Sequence, residues 1–153
     1  MQMSEPIIRI SVRDQRLDLV AAERILSSYP VSTSRFGLGS EEGSMKTPLG
    51  KFKIAEKIGA DVPLGTVFRS RVPLAPDDSP PPADDLVLSR ILWLDGLEEH
   101  NANTRNRFIY IHGTNHEEEI GVAASHGCIR MKNADLIALF DQVPPGTEVV
   151  ITA

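Results

Sequence analysis

Short runs of β-branched and aliphatic residues, broken repeatedly by turn formers, constrain this chain more than any other feature. Ile7 to Val12, Leu17 to Val20 and Ile25 to Val31 fall within the first fifty residues, followed by Phe52 to Ile54, Leu86 to Leu94, Phe108 to Ile111 and Glu148 to Thr152. Runs this short suit strands, and their spacing is that of a meander rather than of strands alternating with crossover helices. Thr47-Pro48-Leu49-Gly50-Lys51-Phe52 sets Pro and Gly around a turn that feeds one of them. Helical spacing is convincing at one place, where Asn133 is placed to cap, Asp135 suits the first turn and Leu136, Ile137, Leu139 and Phe140 form an apolar stripe that ends by Pro144. The expected fold is mainly β, a sandwich with one clear short helix near the C-terminus.

A chain of 153 residues fits a single domain over 1–153, able to remove roughly 70% of its unfolded surface from water. The Pro- and Asp-rich stretch from about 73 to 85 has no apolar period and reads as a surface loop inside that domain, with a gating role as the alternative. The formal net charge is −5, which lacks the excess of Lys and Arg that tracks phosphates, so nucleic acid is not an expected partner. No apolar stretch approaches the roughly 20 residues that cross a bilayer, so no membrane insertion by a helix is expected. The start, Met1-Gln2-Met3-Ser4-Glu5-Pro6, carries no cationic segment followed by an apolar run, which predicts a cytoplasmic protein; a chain trimmed from an exported precursor would instead be periplasmic.

Cys128 is the single cysteine, so it cannot form an internal disulfide and is either a buried small hydrophobe or a working thiol. Its neighbours favour work. A free thiol with a pKa near 8.5 is only about 3% ionised at neutral pH, so a cysteine nucleophile needs an imidazole to take its proton. His112, His116 and His126 all lie within sixteen positions of Cys128. Gly127 just before the thiol lets backbone N–H groups approach a developing oxyanion, where one donor contributes roughly 3 kcal/mol in comparable sites.

Ser125-His126-Gly127-Cys128-Ile129-Arg130 resembles the nucleophile motif of the L,D-transpeptidase (YkuD-type) catalytic domains, and His112-Gly113-Thr114-Asn115 resembles their upstream His motif. Thr47-Pro48-Leu49-Gly50-Lys51-Phe52 is similar to the family's Thr-Pro-x-Gly-x-Phe element, and Tyr29-Pro30-Val31-Ser32-Thr33 to an earlier strand. The resemblance implies a cysteine peptidoglycan enzyme of the L,D-transpeptidase-type β-sandwich fold. Cys128 would be the nucleophile, His112 the general base and the Gly113 carbonyl its orienter, with Gly127 and Cys128 N–H groups forming an oxyanion hole. Arg130 and Ser125 would belong to substrate binding, Arg130 through a carboxylate, although a structural bond to loop carbonyls is its alternative role. No cofactor and no metal are implied.

The implied substrate is a peptidoglycan stem peptide or soluble muropeptide. Attack on the carbonyl of its third, L-centred residue expels terminal D-Ala and leaves a thioester. Water as acceptor makes an L,D-carboxypeptidase of cell-wall recycling, which the absence of an export signal favours; an amine as acceptor makes 3→3 cross-links. His126 competes with His112 as the base, since on an extended segment it would share the face of Cys128. A zinc site built from His112, His116, His126 and Cys128 is the rival chemistry, although Gly113, Thr114 and Asn115 are poor helix formers for bringing His112 and His116 together. A non-catalytic wall-binding module is the rival without chemistry.

Overall fold

In the computed structural model, which describes residues 5–78, 80 and 85–153, the chain follows the strand-rich pattern its sequence predicts. The first three strands form the expected meander: β1 (Ile7–Ser11), β2 (Arg16–Ala21) and β3 (Arg24–Ser32), each antiparallel to the next. Then come β4 (Gly50–Ile58), β5 (Val67–Arg69), β6 (Val72–Pro73), β7 (Val87–Gly96), β8 (Tyr110–Gly113) and β9 (Ile129–Met131). The helix α1 (Asn133–Phe140) and the closing strand β10 (Glu148–Thr152) complete the chain.

The hydrogen-bonded order is β4-β10-β1-β2-β3-β9-β8-β7-β5-β6, and β4 also pairs with β7. That last pairing joins the two faces of the sandwich into a closed circuit, which leaves fewer open edges than two separate sheets would. β1 with β10 and β8 with β9 are the parallel pairs; the first joins the two ends of the chain, and the second joins consecutive strands across a crossover. Ile8, Ile10, Leu17, Leu19, Phe52, Ile54, Leu92, Leu94, Val149 and Ile151 fill the interior, and Leu136, Leu139 and Phe140 of α1 join the same core. A smaller apolar cluster, Phe68, Ile91 and Tyr110, lies apart from it.

Three expectations need correction. The strand expected over Phe108 to Ile111 begins at Tyr110, because Phe108 takes a left-handed conformation (φ 58°) that closes a 3-10 turn over Arg105–Arg107. The segment read as loop starts one residue too early, since Pro73 still belongs to β6, antiparallel to β5; beyond it Pro76–Asp78 forms a 3-10 turn. Residues 79 and 81–84 of that segment lie outside the described residues. Asn133 does not cap α1. It is the first helical residue, and its side chain bonds the Thr114 carbonyl and the Glu117 carboxylate. The capping oxygen belongs to Glu117, whose Oε2 accepts the Asn133 N–H at 2.7 Å, a carboxylate at the positive end of the helix. Glu117→Ala should therefore lower the urea midpoint with an unchanged slope, by about 0.5–2 kcal/mol, the range for losing a capping oxygen.

Candidate active site

Alternation along two short strands assembles the site. Ile109, just before β8, and Ile111 within it point into the main core, which sends Tyr110 and His112 to the other face; beyond Cys128, Ile129 and Met131 do the same and leave Arg130 opposite. The parallel register pairs Ile111 with Ile129 and His112 with Arg130. Cys128, one step before β9, therefore lies beside Tyr110, and the Tyr110 N–H donates to its Sγ at 3.3 Å.

The turn that presents the thiol is tied from several directions. Gly127 has φ +127°, a conformation that side-chain-bearing residues rarely adopt. Its carbonyl accepts Thr47 Oγ1 at 2.9 Å, while Thr47 Oγ1 in turn accepts the Ser34 N–H at 2.9 Å. The Thr-Pro-x-Gly-x-Phe element thus holds the Cys128 turn from eighty residues away. Ser125, 1% exposed, donates to the Cys128 carbonyl at 2.7 Å and accepts the Gly127 N–H at 3.3 Å. Both observations revise expectations from the sequence: Ser125 shapes the turn instead of facing a substrate, and the Gly127 N–H is engaged with Ser125 Oγ instead of standing free as an oxyanion donor.

His112 is 3% exposed, and its Nδ1 lies 2.5 Å from the Gly113 carbonyl oxygen. A carbonyl only accepts, so Nδ1 carries the proton and Nε2 keeps its lone pair. Burial holds the imidazole below its ordinary pKa, against the Gly113 bond and the Asp85 charge that favour the cation. Burial likewise pushes the Cys128 thiol up to about 11, only partly offset by the Tyr110 N–H. The resting pair is a neutral thiol and a neutral imidazole, and the S–H donates to the Phe108 carbonyl at 3.3 Å. Gly113 could carry no side chain, since a Cβ there would lie 2.1 Å from Asn133 Oδ1 and 2.6 Å from the Leu88 carbonyl.

A cleft of about 360 Å³ opens on Cys128, lined also by Glu42, Met45, Arg107, Phe108 and His126. Arg107 bonds the Gly39 and Lys46 carbonyls, and its charge acts favourably on a Cys128 thiolate. Arg130 is placed differently. It is 2% exposed and already paired, Nη2 with Asp85 Oδ2 at 2.9 Å and Nη1 with Glu119 Oε1 at 3.0 Å. The expectation that it reads a substrate carboxylate therefore meets a guanidinium held by two carboxylates of the chain itself. His126 Nδ1 lies 2.9 Å from the same Asp85 oxygen. The four proposed zinc ligands do not converge: among the described residues the group of three or more His, Cys, Asp or Glu donors that lie within 4.8 Å of one another is His116, Glu118 and Glu119.

The profile of the L,D-transpeptidase catalytic domain, YkuD, matches residues 5–151. The chain belongs to this family. YqjB of Bacillus subtilis (strain 168) is 29% identical over 148 residues, covering 97% of this chain and 72% of its own length. YkuD of the same strain is 30% identical over 144 residues, covering 94% and 64%. Among solved structures, an L,D-transpeptidase from Mycobacterium smegmatis superposes with a TM-score of 0.66 at 17% identity, over 98% of this chain and 59% of that one. An L,D-transpeptidase solved in complex with imipenem, LdtMt1, gives 0.62 at 19% identity over 97% and 59%. This L,D-transpeptidase-family chain thus spans about three-fifths of those solved structures, and at such identities they speak for the fold alone.

Sequence reasoning missed Asp85, Arg107 and the Tyr110 N–H. Asp85 sits in a stretch whose composition signals only solvation, and nothing local to Arg107 sets it apart from a surface arginine. The Tyr110 amide could have been found from the strand register, had β9 been recognised. Two outcomes follow from this geometry. Thr47→Val strands the Gly127 carbonyl and the Ser34 N–H and should cost about 1–3 kcal/mol in urea unfolding. The rate of Cys128 alkylation by iodoacetamide should keep climbing with pH well above the ordinary range of a free thiol, toward about 11; a plateau below pH 9 would contradict the neutral resting thiol.

Proposed function

We propose that this chain is a cysteine acyl-transfer enzyme that cleaves the L,D peptide bond of peptidoglycan stem tetrapeptides, releasing terminal D-Ala and passing the thioester to water. One observation carries the reading: the lone thiol, at the floor of an open cleft, shares a sheet face with a buried imidazole whose proton is fixed on Nδ1. Such an imidazole can accept the thiol proton on Nε2 once a substrate turns the S–H away from the Phe108 carbonyl. Sulfur then attacks the carbonyl of the third stem residue. The Tyr110 N–H, which faces Sγ, stands where it can donate to the oxyanion together with the Cys128 N–H. His112 returns its proton to the departing D-Ala amine, leaving the thioester.

A thiol raised to about 11 makes a preformed thiolate a minor species at neutral pH, so proton transfer belongs to the acylation step. His112 must be neutral to act, and its pKa is lowered, so the acid limb of acylation falls below the ordinary value of about 6.5. The same shift has a stability consequence of definite sign. The unfolded chain takes up the His112 proton first, so this contribution to stability is complete above about pH 6.5 and is lost as pH falls through the folded value.

Arg107, which lines the cleft, supplies the positive charge for the terminal carboxylate in this reading. Water is the acceptor in this reading, reaching the thioester through the cleft of about 360 Å³ that opens on Cys128. An amine acceptor, giving 3→3 cross-links, is the second reading, supported by the curated Bacillus relatives, whose names describe them as L,D-transpeptidases.

Incubation with a disaccharide tetrapeptide and mass spectrometry decides between acceptors: tripeptide is the expected product, and cross-linked dimer appearing faster than tripeptide overturns hydrolysis. Cys128→Ala should abolish both products while keeping the fold. Amidating the terminal carboxylate should lower turnover by one to two orders of magnitude, about 1.5–3 kcal/mol for a lost hydrogen bond to a charged group.

A further inference from the structure

The two histidines nearest the thiol differ in access. His112 is 3% exposed and absent from the cleft lining, whereas the His126 side chain is 39% exposed and forms part of that lining beside Cys128. An acceptor that arrives after the first product leaves must come through the cleft. It meets His126 there.

We propose that His126 and Asp85 form a second dyad that activates the acceptor in the deacylation step, His126 as the catalytic base and Asp85 as its positioning residue. The inference rests on the acyl-transfer reading above but concerns a step and a residue pair that reading leaves open. Asp85 Oδ2 accepts from His126 Nδ1 at 2.9 Å. Burial raises the Asp85 pKa, but hydrogen bonds from Arg130 and His126 outweigh it and hold the carboxyl below its ordinary value. An ionised carboxylate only accepts, so the neutral His126 ring carries its proton on Nδ1 and leaves Nε2 with a lone pair.

The carboxylate cannot drift away from this task. Arg130, buried to 2% exposure, donates to the same Oδ2 at 2.9 Å and is itself braced by Glu119 at 3.0 Å. The Phe36 ring stands 6.0 Å from the imidazole, centroid to centroid, in a tilted arrangement. This also gives Arg130 a role. It orients Asp85, which orients His126, and so acts two contacts away from the chemistry.

The proposed step balances as follows. Water gives a proton to His126 Nε2 as its oxygen bonds the thioester carbonyl carbon. The tetrahedral intermediate collapses, the C–Sγ bond breaks with its electron pair going to sulfur, and the His126 proton returns to the departing thiolate. Free acid and thiol result.

Loading Cys128 with an acetyl group from p-nitrophenyl acetate isolates this step from any muropeptide. Acetyl loss is followed by intact mass, and acylation by the p-nitrophenol burst. In His126→Gln and Asp85→Asn the two rates are compared within each variant, because the Asp85 charge also acts on His112: acetyl loss should slow about a hundredfold more than the burst does, the low end of general-base contributions. Asp85→Glu should restore part of the loss, which a merely structural defect would not allow. Equal acetyl decay in wild type and variants, or burst and decay falling together, overturns the dyad. Failure to release D-Ala from tetrapeptide with normal acetyl decay overturns only the substrate reading.

Discussion

The parallel pairing of β8 with β9 is the constraint on which the site depends. Side chains alternate across a sheet, so a register of Ile111 with Ile129 commits Tyr110, His112, Cys128 and Arg130 to one face and their neighbours to the core. A slip by one residue would bury Cys128 among the core aliphatics and turn Ile129 outward. The register is held by Ile111, Ile129 and Met131, all fully buried, so the same apolar contacts that stabilise the closed sheet also aim the thiol.

Burial then sets the chemistry. The environment that packs Cys128 against Tyr110 removes water from the imidazole and part of it from the half-buried thiol, and each is driven toward its neutral form. A cysteine enzyme can keep a standing thiolate by surrounding it with positive charge. In the proposed acyl-transfer reading, reactivity instead arises only when a substrate is bound. A neutral thiol bonded to the Phe108 carbonyl is also less open to oxidation than a thiolate would be.

Much of this was legible in the sequence because it is local. The β-rich meander, the closing strand and the short helix follow from runs and turn signals, and β10 falls where the residues place it. Cys128 and His112 stand out because a lone thiol needs an imidazole. What could not be read depends on partners far apart in the chain. β9 is three residues long and β6 two, too short for a period to appear. Asn133 looked like a cap because its type is right, but Glu117, sixteen residues earlier, occupies the position. Asp85 lies forty-one residues before His126, in a stretch whose composition says only that it is solvated.

Arg130 illustrates why a motif identifies residues more safely than it identifies their work. Adjacent to the nucleophile strand and carrying a planar fork, it has the chemistry to bind a carboxylate, and it does bind two, both from its own chain. A guanidinium buried to 2% exposure cannot be left unpaired without a cost of several kcal/mol, so Asp85 and Glu119 are required by the burial of Arg130 itself. Reading substrate through it would mean displacing Asp85 and exposing that charge pair to exchange at each turnover. Arg107, half-exposed on the cleft wall, faces no such penalty. The location of a charge relative to solvent, more than its proximity in sequence to the nucleophile, decides which arginine can meet a ligand.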